Sequence, residues 1–255
     1  MSKKKVVVSG AANGIGAAIA VQLLENGDFP VCIDIQSFKD SELERKINYK
    51  FKLEEDFTFI ENDASDEEFF GRYFKDYGPV YGLVNNAGLL GNDMAHGGRT
   101  SAGFDRVVTA HAKTALVLTE AILPVMPSGS SIVNIGSIEI IMAAPDVVLY
   151  ASAKGALYGM TVAYSTTLGP RNIRVNMVSP GSVNTEKNLS MFTDEKGKRI
   201  VRLFEGRTPL QRGVEPKEVA DVVMFLLSSA SSSITGQDIV ADCGYIRALY
   251  DPSWV

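Results

Sequence analysis

Short apolar segments alternate with longer amphipathic ones from one end of this chain to the other, and that alternation fixes its fold class. Strand patterns fall at 5–9, 30–34, 57–61, 80–84, 131–135, 173–178 and 238–241. Helical patterns lie between them, at 15–25, 40–47, 66–75, 101–123, 149–168 and 216–227, with Ser65 as the expected cap of the helix that begins at 66. The strands are apolar and rich in β-branched residues on both faces, so both faces need cover, which a parallel sheet between helical layers provides. Right-handed crossovers then give an α/β Rossmann fold: a doubly wound, seven-stranded parallel sheet with helices on both faces. With no internal repeat and no Pro-, Gly- or Ser-rich linker, 1–255 reads as one domain. The polar stretch 184–213 breaks the rhythm and is the expected substrate lid.

A chain of 255 residues can bury a large core. Its net charge of -5 gives no reason to expect nucleic acid or an anionic membrane as a partner. No apolar run approaches the ~20 residues that span a bilayer, and no N-terminal stretch has the form of a signal peptide. Cys32 and Cys243 stand far apart in apolar segments without metal-ligand company. The expectation is two unpaired thiols in a cytoplasmic protein with no metal site.

The first strand runs straight into Gly10-Ala11-Ala12-Asn13-Gly14-Ile15-Gly16, and a helix begins at once. Glycine at such a junction permits strained dihedrals and close backbone approach to a pyrophosphate. The helix N-terminus adds free N–H groups and positive potential. A merely tight turn is the plainer alternative, and three glycines at one junction weigh against it. Asp34 ends the second strand, where a carboxylate accepts from both adenosine ribose hydroxyls and repels a 2′-phosphate. No arginine or lysine occupies Asn13, Ile35 or Gln36, so the expected cofactor is NAD(H) rather than NADP(H).

Tyr150 and Lys154 stand one helical turn apart and share a helix face, with Ser137 upstream. An ammonium beside a phenol favours the phenolate, so the pair predicts a Tyr150 pKa drawn down toward neutrality. Such a phenol can pass a proton to or from a reacting oxygen. Taken alone the spacing is common and unspecific.

Together these motifs resemble the short-chain dehydrogenase/reductase family, from Val6 to about Gly244. Gly10, Gly14 and Gly16 match its glycine motif, with Asn13 and Ile15 inside it and Ile35 beside Asp34. Asn62-Asp63-Ala64 is similar to the segment whose aspartate meets the adenine amino group. Asn85-Asn86-Ala87-Gly88 matches the family's N-N-A-G, and Pro180-Gly181-Ser182-Val183-Asn184-Thr185 its P-G-x-x-x-T. The resemblance implies that backbone near Val183 holds the nicotinamide carboxamide and that Thr185 contacts amide or phosphate. It implies that Tyr150 exchanges the proton, Ser137 stabilises the carbonyl oxygen, and Lys154 binds the nicotinamide ribose and tunes Tyr150. The reaction implied is hydride transfer between a secondary alcohol and a ketone. A 3-oxoacyl-carrier-protein reductase and a non-catalytic NAD-binding regulator are the alternatives.

One stretch departs from the family. His111 stands where asparagine is usual, and Thr114 replaces glycine. His111 is either tolerated in the helix or sits close to Lys154 and perturbs the proton relay. His96 reads as a surface-loop residue. Leu89, Leu90, Ile138, Ile140, Met142, Val147 and Met191 are the expected apolar wall of the substrate pocket, and Glu139, Arg99 and Asn188 are either polar contacts or solvent-facing. Apolar faces on the two long central helices suit either burial on the sheet or a homo-oligomer, a dimer or tetramer, and Trp254 in the tail is expected to dock on a neighbouring subunit or beside its active site.

Overall fold

Val6 and Val8 pack on one side of the sheet and Val7 on the other, and all three are buried. The two-residue pleat makes this unavoidable once helices cover both sides. The strands are β1 (Lys5–Ser9), β2 (Phe29–Asp34), β3 (Thr58–Glu61), β4 (Gly82–Asn85), β5 (Ser131–Ile135), β6 (Arg174–Pro180) and β7 (Asp238–Ala241). The computed structural model, which describes residues 3–90 and 92–247, joins them in one seven-stranded parallel sheet of order β3-β2-β1-β4-β5-β6-β7. Val7 pairs in register with Val31 on one side and Leu83 on the other.

The helices are α1 (Gly14–Glu25), α2 (Glu42–Ile47), α3 (Glu67–Phe74), α4 (Ser101–Val108), α5 (Thr114–Ile122), α6 (Val148–Leu168), α7 (Glu186–Ser190), α8 (Glu195–Glu205) and α9 (Pro216–Leu227). Ile19 and Leu23 of α1 and Val219 and Val223 of α9 cover one face of the sheet. Phe70 and Phe74 of α3 and Leu118 and Ile122 of α5 cover the other. Each such side chain, fully removed from water, contributes roughly 1.5–3 kcal/mol.

Two local expectations change. Asp66, not Ser65, caps α3, accepting from Phe69 N–H; the Ser65 hydroxyl is already donating to Asp63. The helix expected over 101–123 is interrupted by a π turn at Thr109–Lys113. Within 184–213 the chain forms α7 and α8, and both ends of the segment are pinned together: Asn184 N–H donates to Val214 O and Val214 N–H to Ser182 O. Among the described residues no helix is long and apolar enough to cross a membrane. Trp254 lies outside them, but Tyr245 at the start of the tail stacks on Phe204 of α8, ring centroids 4.2 Å apart.

Candidate active site

β1 and β4 are neighbours in the sheet, yet the chain visits β2 and β3 between them. Crossovers leave this point in opposite directions and open a crevice beyond the carboxyl ends of the strands. A cleft of about 950 Å³ lies there.

One end of the cleft is built from backbone. Gly10 and Gly14 have φ of 65° and 58°, the left-handed region that glycine enters without strain. A Cβ on Gly10 would lie 2.9 Å from Ala87 Cα. Asn86 bridges the two strand ends, its side-chain amide donating to Ser9 O and Gly10 O at 3.0 Å each. Gly16 plays another part than expected. It does not line the cleft; a Cβ there would sit 2.0 Å from Gly10 O, so its role is close packing of α1 on β1.

At the start of α1, Gly14 N–H donates to the buried Glu42 carboxylate at 2.8 Å, and Lys46 pairs with Glu42 at 2.8 Å. Ile15 N–H has no partner among the described residues and Ile15 lines the cleft, which leaves an amide for an anion at a helix N-terminus. Both oxygens of Asp34 are fixed by backbone: Ala12 N–H donates to one and Gln36 N–H to the other, each at 2.9 Å. Each oxygen still has a lone pair for a further donor. Asn13 donates to the Gln36 side chain at 2.7 Å. Ile35, Asp63 and Ala64 line the same end.

Ser137, Tyr150 and Lys154 line the same cleft, as do Gly88, Pro180, Gly181 and Val183, while Ala87 and Thr185 stand against Gly10 and Gly14. Ser137 follows β5, and Tyr150 and Lys154 lie in the first two turns of α6. Lys154 is buried, and its ammonium donates to Ile135 O at 2.6 Å. It stands 5.6 Å from the centre of the Tyr150 ring.

The acidity of this pair differs from the expectation. Burial pushes the Tyr150 phenol up to about 12, the Ser137 hydroxyl draws it back in part, and Glu139 adds to the rise. Burial likewise pulls Lys154 down to about 7. Burial is the largest cause at both groups.

The π turn brings His111 to the Tyr150 end. Its Nε2 lies 3.1 Å from Leu89 N and 3.2 Å from Leu89 O. Its ring meets Tyr150 edge to face, centroids 5.2 Å apart at 85°. Nδ1 is buried without a partner. Burial holds the imidazole pKa well below its ordinary value, and the Lys154 charge adds to that, so the ring beside Tyr150 is neutral. The Thr114 hydroxyl donates to the carbonyls of Ala110 and His111 at 3.0 and 3.2 Å. π turns of this kind often accompany functional sites.

His96 is buried rather than at the surface. The turn Asp93–His96 is drawn inward by Asp93, whose buried carboxylate accepts from the amides of Val148 and Leu149. Of the expected substrate contacts, Leu89, Leu90 and Asn188 line the cleft. Ile138, Ile140, Met142, Val147 and Met191 do not. Arg99 is bound to Asp93 and Asp146 at 2.7 and 2.9 Å, and Glu139 accepts from Ala144 N–H. Glu42 and Asp93 escape sequence reading because each acts on backbone far along the chain, where no local pattern records the pairing. Among the described residues no cluster of His, Cys, Asp or Glu could hold a metal ion.

A family model described as enoyl-(acyl carrier protein) reductase matches residues 10–246. The chain is 32% identical over 248 residues to D-xylose 1-dehydrogenase of Caulobacter vibrioides, covering 95% of each. It is 30% identical over 248 residues to the NAD-dependent glycerol dehydrogenase of Listeria innocua, covering 96% of this chain and 94% of that one. Among solved structures, the aldohexose dehydrogenase of Thermoplasma acidophilum superposes with a TM-score of 0.82 at 26% identity, over 98% of this chain and 96% of that one. With its seven-stranded parallel sheet and these relatives along nearly its whole length, the chain belongs to the short-chain dehydrogenase/reductase family of oxidoreductases.

Proposed function

We propose that this protein is a NAD(H)-dependent oxidoreductase that interconverts a secondary alcohol and a ketone. The observation that carries the reading is convergence: Ser137, Tyr150 and Lys154 share one cleft with Asp34 and the glycine turn. A nicotinamide dinucleotide bound there would supply or accept the hydride. Gly10, Asn13, Gly14 and Ile15 would hold its phosphates, and Asp34 its adenosine ribose, with Ile35, Asp63 and Ala64 around the adenosine. Asn86, Ala87, Gly88, Pro180, Gly181, Val183 and Thr185 would line the path to the nicotinamide, and Lys154 would meet its ribose. Gly16 supports this set from behind.

Tyr150 would donate the proton to the carbonyl oxygen, and Ser137 would donate a hydrogen bond to the same oxygen. Such placed donors typically contribute about 3–4 kcal/mol of transition-state stabilisation each. The paired amides on Asp34 and the absence of a basic side chain at Asn13, Ile35 and Gln36 favour NAD(H) over NADP(H). The relatives named for D-xylose and glycerol suggest a small hydroxylated substrate. The net charge of -5 and Asp34 weigh against an acyl-carrier-protein reductase, and the joint presence of Ser137, Tyr150 and Lys154 weighs against a regulator without turnover. Cytoplasmic location and assembly as a dimer or tetramer belong to the same reading. Cys32 and Cys243 are unpaired, and Leu116, Tyr158 and Val162 leave apolar surface on α5 and α6.

NADH absorbance over a panel of secondary alcohols and ketones tests this directly. Tyr150→Phe is expected to cut kcat by a thousandfold or more while the NADH Kd stays within twofold. Turnover retained in that variant defeats the assignment.

A further inference from the structure

Tyr150 lies in the first turn of α6, where backbone N–H groups have no partner within the helix. The local sequence does not cap that end. Val147 occupies the cap position with φ −124° and ψ 28°, and its side chain has nothing to accept with. A usual N-cap has extended backbone and a side-chain oxygen.

The cap comes from elsewhere. One oxygen of Asp93 accepts from Leu149 N–H at 3.0 Å, and the other accepts from Val148 N–H at 3.2 Å and from Arg99 Nε at 2.7 Å. Asp93 is 3% exposed. Arg99 reaches on to the Asp146 carboxylate at 2.9 Å, and Asp93 N–H donates to Asp146 O at 2.7 Å. These bonds form a closed ring that ties the loop after Gly88 to the residues that open α6. A negative charge at a helix N-terminus is also favoured by the helix dipole. The same loop is linked to Tyr150 through His111, which bonds Leu89 and packs on the Tyr150 ring.

We propose that Asp93 is a positioning residue: its carboxylate closes the N-terminus of α6 across the chain and so fixes Tyr150 against Ser137. The inference rests on Tyr150 as the proton donor. Its effect is confined by geometry. Lys154 sits one turn deeper and is anchored to Ile135 O, so loosening the first turn of α6 displaces Tyr150 and leaves Lys154 in place. Asp34 and the glycine turn lie at the other end of the cleft. Loss of the cap therefore lowers kcat and leaves dinucleotide affinity unchanged.

The test compares the full chain with Asp93→Ala and Asp93→Asn. Four quantities are read: kcat, KM, NADH Kd by fluorescence, and amide hydrogen exchange at Val148, Leu149 and Tyr150. Asp93→Ala is expected to lower kcat ten- to a hundredfold, the range that a displacement of about 1 Å costs. NADH Kd should stay within twofold, and exchange at those three amides should quicken at least tenfold without a matching change in β5. Asp93→Asn retains the shape and one of the two acceptor oxygens but loses the other and the ion pair, and should fall between Asp93→Ala and wild type. If Asp93→Ala does not fold, Asp93→Asn and Arg99→Gln carry the same readouts with smaller changes in the same direction. Unchanged kcat, unchanged exchange at the start of α6, or a kcat loss matched by an equal loss of NADH affinity overturns the proposal. Turnover retained by Tyr150→Phe would instead refute the proton-donor reading, and hydrogen exchange would still judge the cap.

Discussion

Lys154→Met is expected to stabilise the dinucleotide-free protein while it removes activity. Burial alone pulls Lys154 from its ordinary 10.5 down to about 7. The unfolded chain therefore binds more protons than the folded one between those values, and stability rises with pH across that window. At pH 7 the folded state bears a cost of about 4 kcal/mol for this one group. By pH 9 the cost falls to about 2 kcal/mol, because the buried amine is already neutral. Methionine carries none of it, but forfeits the bond to Ile135 O. The stranded carbonyl costs about 1–3 kcal/mol. The net gain at pH 7 is then roughly 1–3 kcal/mol. The sharper quantity is the pH dependence, which the carbonyl does not share: the advantage of the variant should shrink by about 2 kcal/mol from pH 7 to pH 9. Urea unfolding of both proteins without dinucleotide, at pH 6, 7, 8 and 9, measures it. Cys32, whose thiol burial pushes far up, titrates in both chains and cancels in the difference. A gap that stays constant with pH, or a variant less stable than wild type at pH 6, refutes the reasoning.

Other consequences are quicker to state. Gly16→Ala places a methyl group 2.0 Å from Gly10 O, a backbone atom that cannot swing aside, so a loss of about 1–3 kcal/mol is expected; a melting temperature equal to wild type would contradict it. His111→Asn should leave the pH–rate profile between pH 6 and 9 superimposable on wild type, because the buried imidazole is neutral throughout; disappearance of an ionisation in that range would show that the ring titrates during turnover. Asp34→Ser should weaken NADH binding about tenfold or more, since it removes an acceptor held by two amides; comparing NADH and NADPH affinities by fluorescence checks it, and wild-type preference for NADPH would overturn the assignment of Asp34.

What the sequence made legible was backbone. Uniformly apolar strands demanded two covering layers, and the sheet has them. Glycines at 10 and 14 announced left-handed dihedrals, which both adopt. Gly16 was readable as a necessity but not as to purpose, because a Cβ that strikes a neighbouring carbonyl and a Cβ that would block a ligand leave the same mark in a sequence. The ends of α3 and α6 were misread or missed for a common reason. Their caps depend on side chains whose partners are decided by the packed fold: Ser65 is taken by Asp63, and the N-terminus of α6 by Asp93. His96 was assigned to the surface from its glycine-containing loop, yet the inward pull of Asp93 buries the turn that carries it.

The failed expectation about Tyr150 has a deeper cause. An i, i+4 pair specifies proximity and charge type, but acidity also depends on how much water each group loses. Here Lys154 is buried and Tyr150 partly so, and burial raises the phenol and lowers the amine. The two ends of the cleft differ in kind as a result. The Asp34 carboxylate and the Asn86 side-chain amide are each met by fixed backbone, a rigid seat prepared before anything binds. Around Tyr150 the groups are unsettled: a lysine poised to lose its charge, a phenol that resists ionising, and an imidazole nitrogen with no partner. Local rules that hold elsewhere commonly give way at functional sites. Interactions that relieve such groups only when a reactant is present are the ones able to speed a reaction rather than merely bind. The Asp34 end is thus suited to anchoring, and the Tyr150 end to chemistry.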